Sequence, residues 1–125
     1  MADEGDVRRI ALSLPEVTED EDSLHFRVAG KGFAWSYKER IEGQRSRVER
    51  REVLAVRVSN DGEKQHLLAA EPDTFFTTAH YDGFPAVLIR LPVITLDELG
   101  ELLTDAWRIQ APRRSVHAYD VDRSS

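Results

Sequence analysis

Val7, Ile10, Ala11 and Leu14 fall three and four residues apart, which is the repeat of one helical face and predicts a short helix near the start of the chain. Asp3 or Asp6 supplies its N-terminal cap, since a carboxylate there accepts orphan backbone N–H groups and suits the helix dipole. Pro15 ends it by pushing the preceding residue out of the α region. The acidic run at 16–22, EVTEDED, reads as a connector. Leu24, Phe26 and Val28 then alternate with polar or small neighbours, a half-buried strand. A turn at 29–32 joins it to a second strand with Phe33, Trp35 and Tyr37 in alternation, and the pair predicts a hairpin.

Residues 38–52 break that alternation with a charged stretch that reads as a long loop, the kind that is usually functional or mobile. Leu54, Val56 and Val58 form a third alternating strand. The turn Asn60-Asp61-Gly62 leads into a short helix over about 63–70, with Leu67, Leu68 and Ala70 as its apolar side and Pro72 closing it. Phe75 and Phe76 sit in an extended piece, Tyr81-Asp82-Gly83 signals a turn, and Val87, Ile89 and Leu91 alternate in a last strand. Thr95 and Glu98 have the spacing of a capping box ahead of the best helical stripe, Leu96, Leu99, Leu103 and Ala106/Trp107. Ala111-Pro112 stops that helix, and the tail at about 119–125 is expected to fray. The order helix, hairpin, strand, short helix, strand, helix predicts an α+β fold. An antiparallel β-sheet packs against N- and C-terminal helices in a single domain spanning 1–125.

The composition agrees with one globular core. The chain has 125 residues, 41% hydrophobic and 32% charged, with no cysteine. Disulfides, thiolate catalysis and cysteine metal sites are thereby excluded, and the acidic N-terminus lacks the apolar region of a signal peptide. No apolar run approaches a membrane span. The expectation is a cytoplasmic protein with no membrane partner. Its formal net charge of −6 is unevenly spread. Residues 1–22 hold eight acids against Arg8 and Arg9, whereas 38–52 and the segment from Trp107 onward each carry a net +2. Such a balance counts against nonspecific nucleic-acid binding by the whole surface and leaves only local basic islands for it.

The candidate chemistry is sparse. Histidines at 25, 66, 80 and 117 stand alone without a helical metal pair, and His25 alternates outward as a surface residue. His80 and Asp82 supply only two ligand types in one turn, so neither a metal nor another cofactor is expected. The carboxylates Glu19, Asp20, Glu21 and Asp22 lack the spacing of a calcium loop and read as a solvated face. No nucleophile elbow or phosphate-binding glycine loop occurs, which favours a non-enzymatic protein. Two features remain. Arg45, Arg47, Arg50 and Arg51 cluster in the charged stretch, with Arg113 and Arg114 after the last helix as supporting contacts. Guanidinium forks match phosphate oxygens, although Glu39, Glu42, Glu49 and Glu52 offset much of the charge. Thr77, Thr78, His80, Tyr81 and Asp82 cluster beside Phe84 as a polar and aromatic loop. It serves equally as a protein- or small-ligand-binding surface or as an ordinary loop anchor, with Trp35 or Trp107 nearby.

Four segments carry a family resemblance. ALSLPE at 11–16, the FRV-x-GK-x-FA pattern at 26–34, PDTFFTTAHYDGFPAVLIRL at 72–91 and the DAWR-x-x-APRR pattern at 105–114 resemble the MmcQ/YjbR family across nearly the whole chain. The resemblance implies an antiparallel sheet packed on terminal helices in a frataxin-like, double-wing arrangement. It also implies DNA as a partner, contacted here by the Arg-rich stretch, and it brings no agreed catalytic residues. A monomer and a homodimer paired through a strand edge are both open.

Overall fold

Helix α1 (Glu4–Ser13) begins where the sequence provides a reciprocal cap. The Asp3 side chain accepts the Asp6 N–H at 2.9 Å, and the Asp6 carboxylate accepts the Asp3 N–H at 3.0 Å. The structure, a computed structural model, describes the chain apart from positions 22, 41, 42, 44–46 and 125 and the side chains of Arg40 and Ser124. Six strands follow: β1 (Val17–Glu19), β2 (His25–Val28), β3 (Lys31–Arg40), β4 (Arg47–Arg57), β5 (Phe75–Phe76) and β6 (Ala86–Arg90). They form one antiparallel sheet in the order β1-β2-β3-β4-β6-β5. Helix α2 (Asp61–Ala70) joins β4 to β5, and α3 (Leu96–Gln110) and α4 (Arg113–Ser124) complete the chain.

The period of two along each strand sorts the side chains into two layers. Phe26, Phe33, Leu54, Val56 and Ile89 meet Val7 and Ala11 of α1 and Leu99, Leu103 and Trp107 of α3 in the main core. Trp107 is fully buried, and its indole N–H donates to the Pro15 carbonyl at 3.0 Å, so the largest core side chain leaves no polar atom unmet. Ala55, Ala86 and Leu88 point the other way and build a second, smaller cluster with Tyr81, flanked by Trp35, Tyr37, Val53 and Phe76. No terminal helix covers that side. The irregular segment from Thr77 to Phe84 does.

The α+β class, the terminal helices and the alternating strands agree with the sequence reading, and four local expectations are corrected. The charged stretch is no loop: most of it continues β3 and β4 as a ribbon, with Tyr37↔Arg50, Lys38↔Glu49 and Arg40↔Arg47 in register. Both faces of that ribbon meet solvent, so it carries none of the apolar alternation that betrays a half-buried strand. The acidic connector contains β1, held by a bidentate Arg8–Glu19 pair and by Asp20 against Arg27. The polar tail continues as α4, anchored by Tyr119 stacked at 5.2 Å on Trp107 and by a bidentate Arg108–Asp120 pair. At α3, Thr95 caps the Glu98 N–H at 3.2 Å, but the Glu98 carboxyl engages Glu71 of the neighbouring α2 terminus.

Candidate functional site

Thr77 to Phe84 is held over the sheet from two sides. On the sheet side, the Trp35 indole N–H donates to the Tyr81 hydroxyl at 3.0 Å, and the Tyr37 and Tyr81 rings lie 6.1 Å apart. On the other side, Lys64 of α2, only 1% exposed, donates from Nζ to the carbonyls of Tyr81 at 2.5 Å and Phe84 at 3.0 Å. A buried ammonium is costly unless its protons are met, and two backbone acceptors supply the counterpart here. A 3₁₀ turn at Ala79–Tyr81 and a Gly83 with φ +79° bend the segment, the latter in a conformation that favours glycine. Sequence reasoning missed Lys64. The signal was present: Lys64 stands three and four residues before Leu67 and Leu68, on the helix's apolar side.

Between this segment and the outer part of β3–β4 lies a cleft with two neighbouring hollows of about 260 and 390 Å³. Trp35, His25 and Tyr81 wall the first, with Ser23 and Ser36 beside them. Tyr37, Thr78 and Ala79 wall the second. Lys38, Arg47 and His80 line both. Among the described residues, neither Lys38 nor Arg47 has a carboxylate within ion-pair distance. The nearest acids are engaged elsewhere. Glu49 accepts from the Ser36 hydroxyl at 2.8 Å and from Arg51 at 2.6 Å. Burial works to raise its pKa, but these bonds and the Leu24 N–H outweigh that and lower it. Asp20 is held below its ordinary range by Arg27.

His25 is not the surface residue its alternation suggests. Its ring lies 5.6 Å from Trp35, and its buried Nε2 meets no hydrogen-bond partner among the described residues. The nitrogen sits where a Cβ on Gly32 would come within 2.5 Å, so a glycine is required beneath it. Burial first, and the Arg27 charge second, lower the His25 pKa despite Asp20 nearby. Thr78 Oγ1 is likewise buried without a partner, on the wall of the second hollow.

The structure divides the predicted arginines. Arg47 reaches the cleft, whereas Arg50 is bound to Glu39 at 2.7 Å, and Arg51 bridges Glu4 and Glu49 at 2.6 Å each. Arg45 lies outside the described residues. Arg113 and Arg114 are exposed on the first turn of α4, which starts beside the β2–β3 turn, where Gln110 donates to the Gly32 carbonyl. Lys38 is six residues further along β3, about 20 Å at strand rise, so the two basic islands do not form one patch. Of the other predicted group, Tyr81 is buried and structural. His80 and Asp82 are exposed, and Thr77 Oγ1 lies 3.4 Å from an Asp82 carboxylate oxygen. No group of three His, Asp or Glu side chains among the described residues converges as metal ligands would.

A larger groove of about 610 Å³ lies between α1, α3 and α4, but its Arg108 is committed to Asp120, its Arg123 lies 5.3 Å over the Tyr119 ring, and its other charges are Glu101 and Asp105. The cleft is the better candidate because its cations are uncommitted.

These features define a small α+β domain: an antiparallel sheet with helices on one face and a cleft under an irregular segment on the other. The chain belongs to the YjbR family, whose sequence profile matches residues 12–109. Uncharacterized protein Rv2570 of Mycobacterium tuberculosis and uncharacterized protein Mb2600 of Mycobacterium bovis are each 41% identical to it over 125 residues, covering 95% of this chain and 96% of theirs. The crystal structure of Deinococcus radiodurans protein DR2400, a DUF419 domain, superposes with a TM-score of 0.60 over 86% of this chain and 77% of that one. At 22% identity this likeness shows the fold. Among the described residues, no helix is long and apolar enough to cross a membrane.

Proposed function

We propose that this protein is a non-enzymatic cytoplasmic binding module that takes a small ligand in the cleft between the β3–β4 ribbon and the Thr77–Phe84 segment. The observation that carries this reading is the shared lining: Lys38 and Arg47, without ion-pair partners among the described residues, stand beside aromatic residues in both hollows. Concave sites with apolar walls and a few convergent polar groups are the usual form of ligand pockets, and volumes near the lower end of about 300–1,000 Å³ suit a small molecule. A fragment screen by thermal shift on the wild type and on Trp35→Ala tests it. Hits that stabilise only the wild type support the cleft, and hits indifferent to Trp35 count against it.

DNA binding is the second reading, and a different observation favours it. Residues 37–40 and 47–50 pair only with each other, because β2 reaches β3 no further than Trp35 and β6 meets β4 only from Val53. A two-stranded ribbon of this kind fits a major groove. Arg50 and Arg51 are neutralised by Glu39, Glu49 and Glu4, which leaves Lys38 and Arg47 as the phosphate contacts among the described side chains of the stretch. Two such contacts predict a shallow salt dependence, with a slope of about −2 on duplex DNA. A flat response in anisotropy between about 50 and 200 mM salt would remove this reading.

A further inference from the structure

We infer that the cleft selects an aromatic anion: a planar ring bearing a carboxylate or phosphate. This rests on the ligand-binding reading and specifies its chemistry.

Charge gives the first half. Lys38 and Arg47 are exposed, line both hollows and have no ion-pair partner among the described residues, so either hollow presents two cations to an anionic group. The guanidinium offers a fork for two oxygens, and the ammonium a point charge beside it. The carboxylates that would compete, Glu49 and Asp20, already accept from Ser36, Arg51 and Arg27. An arriving anion therefore displaces no existing pair.

Shape gives the second half. Each hollow is lined by an aromatic residue held in place, Trp35 by its bond to Tyr81 and Tyr37 by its packing on the same ring. Rings fixed in this way lose little freedom when a planar ligand stacks on them. With about 260 and 390 Å³ available, one or two fused rings fit and an extended polymer does not.

The test is calorimetric titration of the full chain with benzoate, phenyl phosphate, inorganic phosphate, phenol and indole, with Trp35 emission read in parallel. Both aromatic anions are expected to bind at least tenfold more tightly than phosphate or phenol. Arg47→Gln and Lys38→Gln should each weaken them about tenfold while leaving the melting temperature and any indole binding unchanged. A preference of benzoate over phenyl phosphate, or the reverse, identifies the anionic group. Equal binding of phenol, indole and the anions, unaffected by Arg47→Gln, overturns the inference and leaves a neutral-ligand cleft standing. Equal binding of phosphate and phenyl phosphate overturns the aromatic half. Absence of binding by every probe, with Trp35 emission unmoved, overturns the inference and the ligand-binding reading together.

Discussion

Lys64 Nζ donates to the carbonyl of Tyr81, seventeen residues further along the chain, from a site that is 1% exposed. One buried cation on α2 thereby fixes the segment that roofs the cleft, and with it the position of the Tyr81 hydroxyl that accepts from Trp35. Lys64→Ala should cost about 2–4 kcal/mol, because it opens a cavity and leaves two buried carbonyls unmet. Urea unfolding measures the loss, and Trp35 emission should shift to the red as Tyr81 is released. A variant as stable as the wild type with unchanged emission would show that the segment is held by other means.

Gly32→Ala places a methyl group 2.5 Å from His25 Nε2, closer than the ring can tolerate without moving. The expected cost is about 1–3 kcal/mol, as for other overpacked sites. The His25–Trp35 stacking should open, which the imidazole and indole proton resonances report directly.

Glu98 provides a pH prediction. Its carboxyl is pushed up to about 7, first by the hydrogen bond with Glu71, then by desolvation and by repulsion from Glu71 and Glu101. A carboxyl that holds its proton more firmly folded than unfolded adds stability below the unfolded value of about 4.5, and that stability is lost as the pH rises towards 7. His25 works in the opposite direction over part of the same window. Its depressed pKa makes stability fall as the pH drops below 6.5. The difference in melting temperature between wild type and Glu98→Gln isolates the first effect. It should decline from pH 5 to pH 7.5 and be flat above; a pH-independent difference would contradict the assignment.

The arginines of β4 should separate by role. Arg50→Gln and Arg51→Gln each remove exposed, solvent-screened ion pairs and should lower stability only slightly, with ligand affinity unchanged. Arg47→Gln should show the reverse, unchanged stability and weakened binding. Chemical unfolding and calorimetry on the three variants check this, and three indistinguishable variants would return the arginines to a common role.

What the sequence discloses follows from where each element meets the core. Val7, Ala11, Leu54, Val56, Leu99 and Leu103 are spaced by the period of their own element because one face is buried, and the central strands and helices α1 and α3 are legible from them. Residues 47–50 pair in a wet ribbon with no such period, so their strand was invisible and Arg50 and Arg51 looked free. Their acceptors, Glu39 and Glu4, are eleven and forty-seven residues away in sequence, a pairing that only the fold brings about. The loop at 77–82 was recognisable as a candidate by its mixture of polar and aromatic residues. Its supports were not, since Lys64 and Trp35 reach it from α2 and β3.

The central claim, that the cleft between β3–β4 and the Thr77–Phe84 segment is the binding site, is tested most directly by mapping amide and indole chemical shifts during titration with phenyl phosphate and, separately, with a short DNA duplex. The account predicts that phenyl phosphate moves the Trp35 indole N–H and the amides of Tyr37, Lys38, Arg47 and Thr78–Tyr81, while the rest of the sheet stays still. Shifts confined to the α1–α3–α4 groove, or shifts along 37–40 and 47–50 with DNA and none in the cleft with phenyl phosphate, would contradict it.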